Sequence, residues 1–385
     1  MTLHVPRLQP VRASPQSPRS AGGFLGDLAA TLVRLADDFA LADRDGVFPS
    51  GAVAALKRCG ALSAFAPPSA GGIAFDDRAQ YVETLFNSLR LVGRADLSLG
   101  RIFEGHVNGV KLIEWYGDAQ QNALMAADLQ LGGLFGVWAT EPKPGVALVE
   151  GNGRTSLIGA KSFATGAGFV RRAIVTAGIA GGGRQMVMIR GDEKDRADAS
   201  GWRVRGMRAT QSGLYTVSNM AAPPTALLGQ PGDYEREPRF TGGAWRFTAV
   251  QLGGIERVVT LLRDALRAGG ADQDPVQRAQ FGDAVAPARS AWLWVRKAAS
   301  AVEALEPDAA TIVLMTRGVV ERAALDVMEI AQRGAGTRAF SADSALDRVL
   351  RDLGLYLRQA GPYQARDRAV QSWLERDPWG ESAWW

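Results

Sequence analysis

The sequence predicts an α+β chain with an N-terminal α-helical domain, a central antiparallel β-domain and a C-terminal four-helix bundle. Two observations carry this. The apolar period is helical from Gly23 to about Leu131, close to two from Gly132 to about Leu228, and helical again from about Arg239 to Leu374. The middle segments are short, rich in β-formers and divided by glycine-bearing turns. The same shifts set the expected boundaries: a disordered leader over 1–22, then domains over 23–131, 132–228 and 229–385.

The leader, "MTLHVPRLQPVRASPQSPRSA", carries four prolines and no continuous apolar stretch, so it is expected neither to fold nor to act as a secretion signal. His4 inside it is given no role. In "FLGDLAATLVRLADDFALADRDG", Leu25, Leu28, Leu32 and Leu35 form one helical stripe. "APPSAGGIAF" reads as a Pro/Gly loop, and the stretch from Arg78 to Gly117 as at least two helices. "FGVWAT", "TSLIGAKSFATG", "RRAIVTAG", "RQMVMIR" and "WRVRGM" read as strands, with "IAGGGRQ" as a hairpin turn. Pro275, Pro307 and the "RGAGTRAF" loop divide the final helices.

Bulk composition excludes several classes. Hydrophobic residues at 46% and charged residues at 22% suit a soluble globular protein. The net charge of +4 comes from scattered arginines, not a basic patch, so nucleic acid is not an expected partner. No apolar run approaches the roughly 20 residues that span a bilayer. Cys59 is the single cysteine, so no internal disulfide can form, and a reducing cytoplasm is the expected compartment.

Four segments, in order, resemble the acyl-CoA dehydrogenase superfamily, over about residues 24–375. "GVWATEP" (Gly136 to Pro142) resembles the strand that meets the flavin ring. "LIGAKSFATGAG" (Leu157 to Gly168) resembles the "lnGxKxWITnG" strand pair. "VQRAQFG" (Val276 to Gly282) resembles the "ERxxFG" turn. "LRDLGLYLRQAG" (Leu350 to Gly361) resembles the "MRDxxxxxIYEG" segment. The resemblance implies FAD, with FMN possible. A flavin needs donors near N5 and O2, which Thr140 and Thr165 can supply at strand ends, and a flat apolar wall, for which Trp138 and Phe163 are suited. It further implies that Arg278, Phe281 and Gly336 (in "QRGAGTRAF") meet the phosphate and adenosine side of a partner subunit's cofactor, in a homodimer or homotetramer. "GWRVRGMRATQSGLYTV" resembles "GxRxTxS", which places Ser212 on substrate or flavin phosphate and Arg208 at the surface.

The pattern breaks at the base. Aligning "LRD" with the family's "MRD" puts Ala360 where the catalytic glutamate belongs. Some members carry that base on the first bundle helix, and counting back from Gly254 puts Ala244 there. Arg246 remains of the substrate-handling pair. Glu256, farther along, reads as a helix-surface ion pair. The expectation is therefore a flavin oxidoreductase without the usual acid–base partner, acting on a small molecule, possibly a CoA thioester. A flavin monooxygenase of the dibenzothiophene type is the first alternative. In that branch His106 would sit near flavin C4a, and Gln359 stands near the position of a second histidine. A non-catalytic scaffold of the same fold is the other. The tryptophan-rich C-terminus is expected to cap a subunit interface.

Overall fold

In a computed structural model the structure describes residues 20–151, 153–342, 344–359 and 361–375. The leader (but for its last residues), Ala360 and the tail from residue 376 onward lie outside them.

Six helices come first: α1 (Ala21–Val33), α2 (Ala36–Asp45), α3 (Ser50–Arg58), α4 (Arg78–Ala95), α5 (Leu97–Tyr116) and α6 (Ala119–Gln130). Helix α1 opens two residues ahead of the expected boundary because Ser20 caps it, accepting from the Gly23 N–H. Aspartates start the longer helices. Asp77 caps α4, Asp96 caps α5, and Asp118 with Gln121 forms a capping box on α6.

Nine strands follow: β1 (Phe135–Trp138), β2 (Ala147–Gly151), β3 (Arg154–Ile158), β4 (Ala160–Ala164), β5 (Val170–Gly178), β6 (Arg184–Gly191), β7 (Ala197–Asp198), β8 (Gly213–Thr216) and β9 (Leu227–Leu228). They form a sheet in the order β3-β2-β5-β6-β9, with β1 also on β5, and a small sheet β4-β8-β7. The expectation of a purely antiparallel unit is corrected: β1 and β2 both run parallel to β5. The chain leaves β1, builds the β2–β3 hairpin and β4, and returns as β5, a crossover that allows parallel pairing. The β5–β6 pair is the expected hairpin, turning through Gly181, Gly182 and Gly183 at positive φ. "WRVRGM" is not a strand. Its residues serve a turn in which Trp202 Nε1 donates to the Met207 carbonyl, and Gly206 packs against the Arg351 carbonyl.

The last region holds α7 (Arg239–Gly242), α8 (Ala244–Ala268), α9 (Pro275–Glu303), α10 (Ala309–Ala335), α11 (Ala345–Tyr356) and α12 (Pro362–Glu375). The "RGAGTRAF" loop is shorter than read, since α10 continues to Ala335 before a 3-10 turn over Gly336–Phe340. The bundle and the N-terminal helices share one core, in which Phe86, Leu89 and Phe103 meet Trp245, Leu252 and Ile255. Helices α4 and α8 touch backbone to backbone. A Cβ at Gly93 would lie 2.2 Å from the Val250 carbonyl oxygen, and one at Gly253 2.2 Å from that of Arg90.

One polar knot joins all three regions. Arg351 of α11 pairs with Asp43 of α2 at 2.8 Å and donates to the Arg205 carbonyl at 2.5 Å. Its neighbour Asp352 accepts from the Met207 N–H at 2.6 Å. Burial, then the charge of Asp96, pushes the Asp352 carboxyl up to about 8.

Candidate active site

The ends of β1 and β4 lie side by side, because the Ser162 N–H donates to the Thr140 carbonyl at 3.0 Å. Thr140 is exposed just past β1. A bulge between Lys161 and Ala164 turns Phe163 outward at φ 52°, leaving it 63% exposed with its ring edge-on to Trp202. Positive φ is costly for an aromatic residue and clusters at working sites. Met207 and Gln211, in the turn beside it, share that conformation. Behind the platform runs a buried hydroxyl chain. Thr165 Oγ1 lies 3.0 Å from Ser212 Oγ, which lies 2.8 Å from Thr210 Oγ1, and Thr210 donates to the Met207 carbonyl. Lys161 anchors the bulge from below through Glu141 at 2.5 Å and the Thr176 carbonyl at 2.6 Å.

Trp138 does not form a wall. It is 2% exposed, packs between the two sheets against Tyr215, and donates from Nε1 to the Thr165 carbonyl. Period two explains this: Phe135 and Val137 face α5, so Trp138 faces the opposite way. Arg208 lies over Gly46 at the end of α2.

Arg278 and Phe281 stand near the start of α9, and Gly336 follows the end of α10, so all three lie at the same end of the up-and-down bundle. Arg278 is exposed, with Nη1 donating to the Gln273 carbonyl at 2.5 Å. Phe281 is half-buried against the core. Gly336 has φ 61° and open space where a side chain would be.

A second group of residues, of which the sequence singled out only Arg246, fills the interior between α5, α8 and α11. Glu104 on α5 is 1% exposed, pairs with Arg101, and accepts from Asn108 Nδ2 at 2.6 Å. Burial raises its carboxyl against the opposing Arg101 and Arg246 charges. Tyr356, the last residue of α11, is held to α8 where Gln251 Nε2 donates to its carbonyl at 2.9 Å. Its hydroxyl is buried on the Glu104 side without a hydrogen bond of regular geometry; burial first, and then the Glu104 carboxylate, raises its pKa. Arg246 on α8 is 1% exposed and lies between the Trp115 and Trp245 rings. Its nearest carboxylate, Glu303, is 3.8 Å away, and its Nε and Nη1 have no hydrogen-bond partner. Buried polar atoms are normally satisfied, so several orphans close together set this interior apart from ordinary core packing.

No family model matches the chain, and no curated protein matches it. Solved structures do. FMN-bound TdsC from Paenibacillus sp. A11-2 superposes with a TM-score of 0.80 at 22% identity, over 91% of this chain and 96% of that one. Butyryl-CoA dehydrogenase from Megasphaera elsdenii gives 0.80 at 18% identity, over 92% and 98%. KijD3 in complex with FMN and a dTDP-amino-keto sugar gives 0.78 at 18% identity, over 95% and 97%.

The chain has the acyl-CoA dehydrogenase fold.

Within this fold the expected base positions hold no carboxylate where they are described. Ala244 is the half-buried first residue of α8. Ala360 lies outside the described residues. Gln359, just past α11, is half-buried. Glu256 is no surface pair along its own helix: it bridges to α4 through Arg90 at 2.7 Å and Arg94 at 3.7 Å. His106 does not stand ready beside a cofactor. It is 1% exposed, and both ring nitrogens are taken by backbone. Nδ1 accepts from the Phe135 N–H at 3.1 Å, which fixes the proton on Nε2, 2.6 Å from the Leu62 carbonyl oxygen. Burial pulls its pKa down to about 4, so the ring is a neutral strut between α5, β1 and the end of the α3 turn.

Proposed function

We propose that this chain is a flavin-dependent oxidoreductase. The observation that carries the reading is the strand-end platform, where Phe163 is held outward at φ 52° next to the exposed Thr140. These residues fit a flavin. Phe163 offers an apolar ring face and Thr140 a hydroxyl donor to the cofactor's polar edge, while the Thr165 hydroxyl, committed to Ser212, braces the platform from behind. Arg278 offers a guanidinium fork to phosphate, and Gly336 a backbone that phosphate or adenosine can approach closely. When bound, the flavin supplies two-electron redox chemistry; the chain's part is to hold it, orient the substrate and manage protons.

FAD and FMN both suit this reading: FMN is the ligand in the TdsC and KijD3 complexes, and FAD is what the sequence resemblance implies. The oxygenating variant of the reading loses its histidine, since His106 is engaged on both nitrogens. A CoA thioester remains a proposed substrate only. We further read the chain as a homodimer or homotetramer, supported by Val276, Leu293 and Phe340, which are exposed at 61%, 61% and 63% on α9 and the turn after α10. Among the described residues, no helix is long and apolar enough to cross a membrane. The buried thiol of Cys59 accords with the proposed cytoplasmic location.

The test is a titration of the purified protein with FMN and FAD, followed by quenching of flavin fluorescence. Saturable uptake of either supports the reading. A colourless protein that takes up neither overturns it in favour of a scaffold that has kept the fold.

A further inference from the structure

The interior cluster between α5, α8 and α11 offers the proton chemistry that Ala244 and Ala360 do not. Glu104 and Tyr356 face each other from two helices, and Tyr356 ends the helix that leads to Ala360. Both carboxylate oxygens of Glu104 are oriented, one by Arg101 and one by Asn108 Nδ2. Each retains a lone pair, since a carboxylate offers about four acceptor sites. Arg246 and Tyr234 complete the charged and titratable surroundings. Arg246 carries two unpartnered N–H groups in a dry setting, and Asn108 Oδ1 is unpartnered too. An acceptor for a proton and a donor for an oxygen thus share one interior.

We propose that Glu104 is the proton acceptor of this buried cluster, acting on a small substrate whose C–H is acidified by a neighbouring carbonyl that Arg246 holds. The proposal rests on the flavin reading only for the chemistry after the proton has left. In the step itself the Glu104 carboxylate forms an O–H bond and the substrate C–H bond breaks. The electron pair moves into the carbonyl as an enolate, whose oxygen charge the Arg246 N–H groups bear. No oxidant is consumed, and reversal returns the proton to carbon. Burial, which raises the Glu104 carboxyl, makes it a stronger base than an exposed glutamate and brings it closer to working pH.

Because the step needs no redox turnover, it can be read by isotope exchange. Phenylacetone and 2-tetralone are incubated in D2O with the full chain, with and without FMN, and deuterium at the α-carbon is followed by NMR. The expected result is exchange about 100-fold above buffer, the lower range for a positioned general base, rising with pH through one ionisation. Glu104→Gln should lose at least tenfold of that exchange with FMN uptake unchanged, its thermal midpoint falling because Arg101 loses its carboxylate, and Glu104→Asp should retain part of the exchange. Should Glu104→Gln not fold, wild-type exchange with a midpoint above the ordinary glutamate value of 4.5 supports the assignment. A wild type that exchanges neither probe above buffer overturns it, as does a folded Glu104→Gln variant that exchanges at the wild-type rate. Exchange without any flavin uptake would instead sink the flavin reading and leave this one standing.

Discussion

Asp352 gives the sharpest prediction for stability. Its carboxyl sits against Asp96 and Asp43, with Arg351 alongside, and burial holds it up to about 8 from an ordinary 3.8. Burial raises Asp96 as well, while the Leu99 N–H it accepts at the start of α5 favours its charged form, and that charge helps keep the proton on Asp352. Below pH 3.8 folded and unfolded chains both carry that proton; between there and about 8 only the folded chain does. Stability therefore falls with rising pH by about 1.4 kcal/mol per unit over that window. His106 acts the other way: its folded pKa of about 4 lies below the ordinary 6.5, so between those values only the unfolded chain binds the proton, and stability rises with pH. The two slopes oppose each other up to pH 6.5; from there to about 8 His106 no longer offsets the Asp352 slope, and the raised carboxyls of Asp96 and Glu104 act in the same direction as Asp352.

Over that upper interval the loss is about 2 kcal/mol. With an unfolding entropy near 2.1 cal/mol/K per residue, this lowers the Tm by roughly 2–3 °C for a chain of 385 residues. Asp352→Asn keeps an oxygen to accept from the Met207 N–H and removes the titration. Scanning calorimetry at pH 5.0, 6.5 and 8.0 should show a wild-type Tm that drops between the last two, and a variant Tm that falls less between them. Identical profiles for both proteins would refute the shared-proton account of the knot.

Two further substitutions probe packing and the platform. Gly253→Ala drives a methyl group to within 2.2 Å of the Arg90 carbonyl oxygen, so α4 and α8 must part, at a cost of about 1–3 kcal/mol. A Tm unchanged in calorimetry would show that the two backbones do not meet there. Phe163→Gly relieves the positive φ, worth about 1 kcal/mol, while removing the proposed flavin wall. The variant should melt slightly higher and bind FMN several-fold more weakly in the fluorescence titration. Wild-type affinity would remove Phe163 from the site.

Much of the fold was legible because it rests on period. Leu28 and Leu32 repeat at helical spacing and are buried, and the β5 and β6 segments are short runs rich in β-formers on either side of a glycine turn. The parallel pairing of β1 and β2 with β5 was not legible, since it depends on which strand returns beside which after a long excursion. At the platform the residue types pointed to Thr140 and Phe163, but parity alone could not say which sheet face is covered, and Trp138 proved to be the buried partner. Glu104 was missed for a different reason. Arg101, Glu104 and Asn108 stand at helical i, i+3 and i+4 spacings, a pattern that on most helices is a solvated ladder. Only the arrival of Tyr356 and Arg246 from distant sequence makes it an interior.

The same geometry explains why α5 carries two buried titratable groups with opposed tasks. Residues two apart on an α-helix point about 200° from one another. His106 therefore turns to the sheet, where the Phe135 N–H and the Leu62 carbonyl fix it and hold it neutral. Glu104 turns to the bundle, where Tyr356 and Arg246 leave polar atoms unmatched. A histidine two residues earlier would have met that cluster; at position 106 it serves to hold α5 against β1. The close fit there, with a Cβ at Gly109 reaching 2.9 Å from that of Phe135, keeps the helix from rotating. That locked orientation keeps Glu104 directed inward, so loosening the His106 strut should disturb the proposed proton transfer at Glu104 without altering the residues around it.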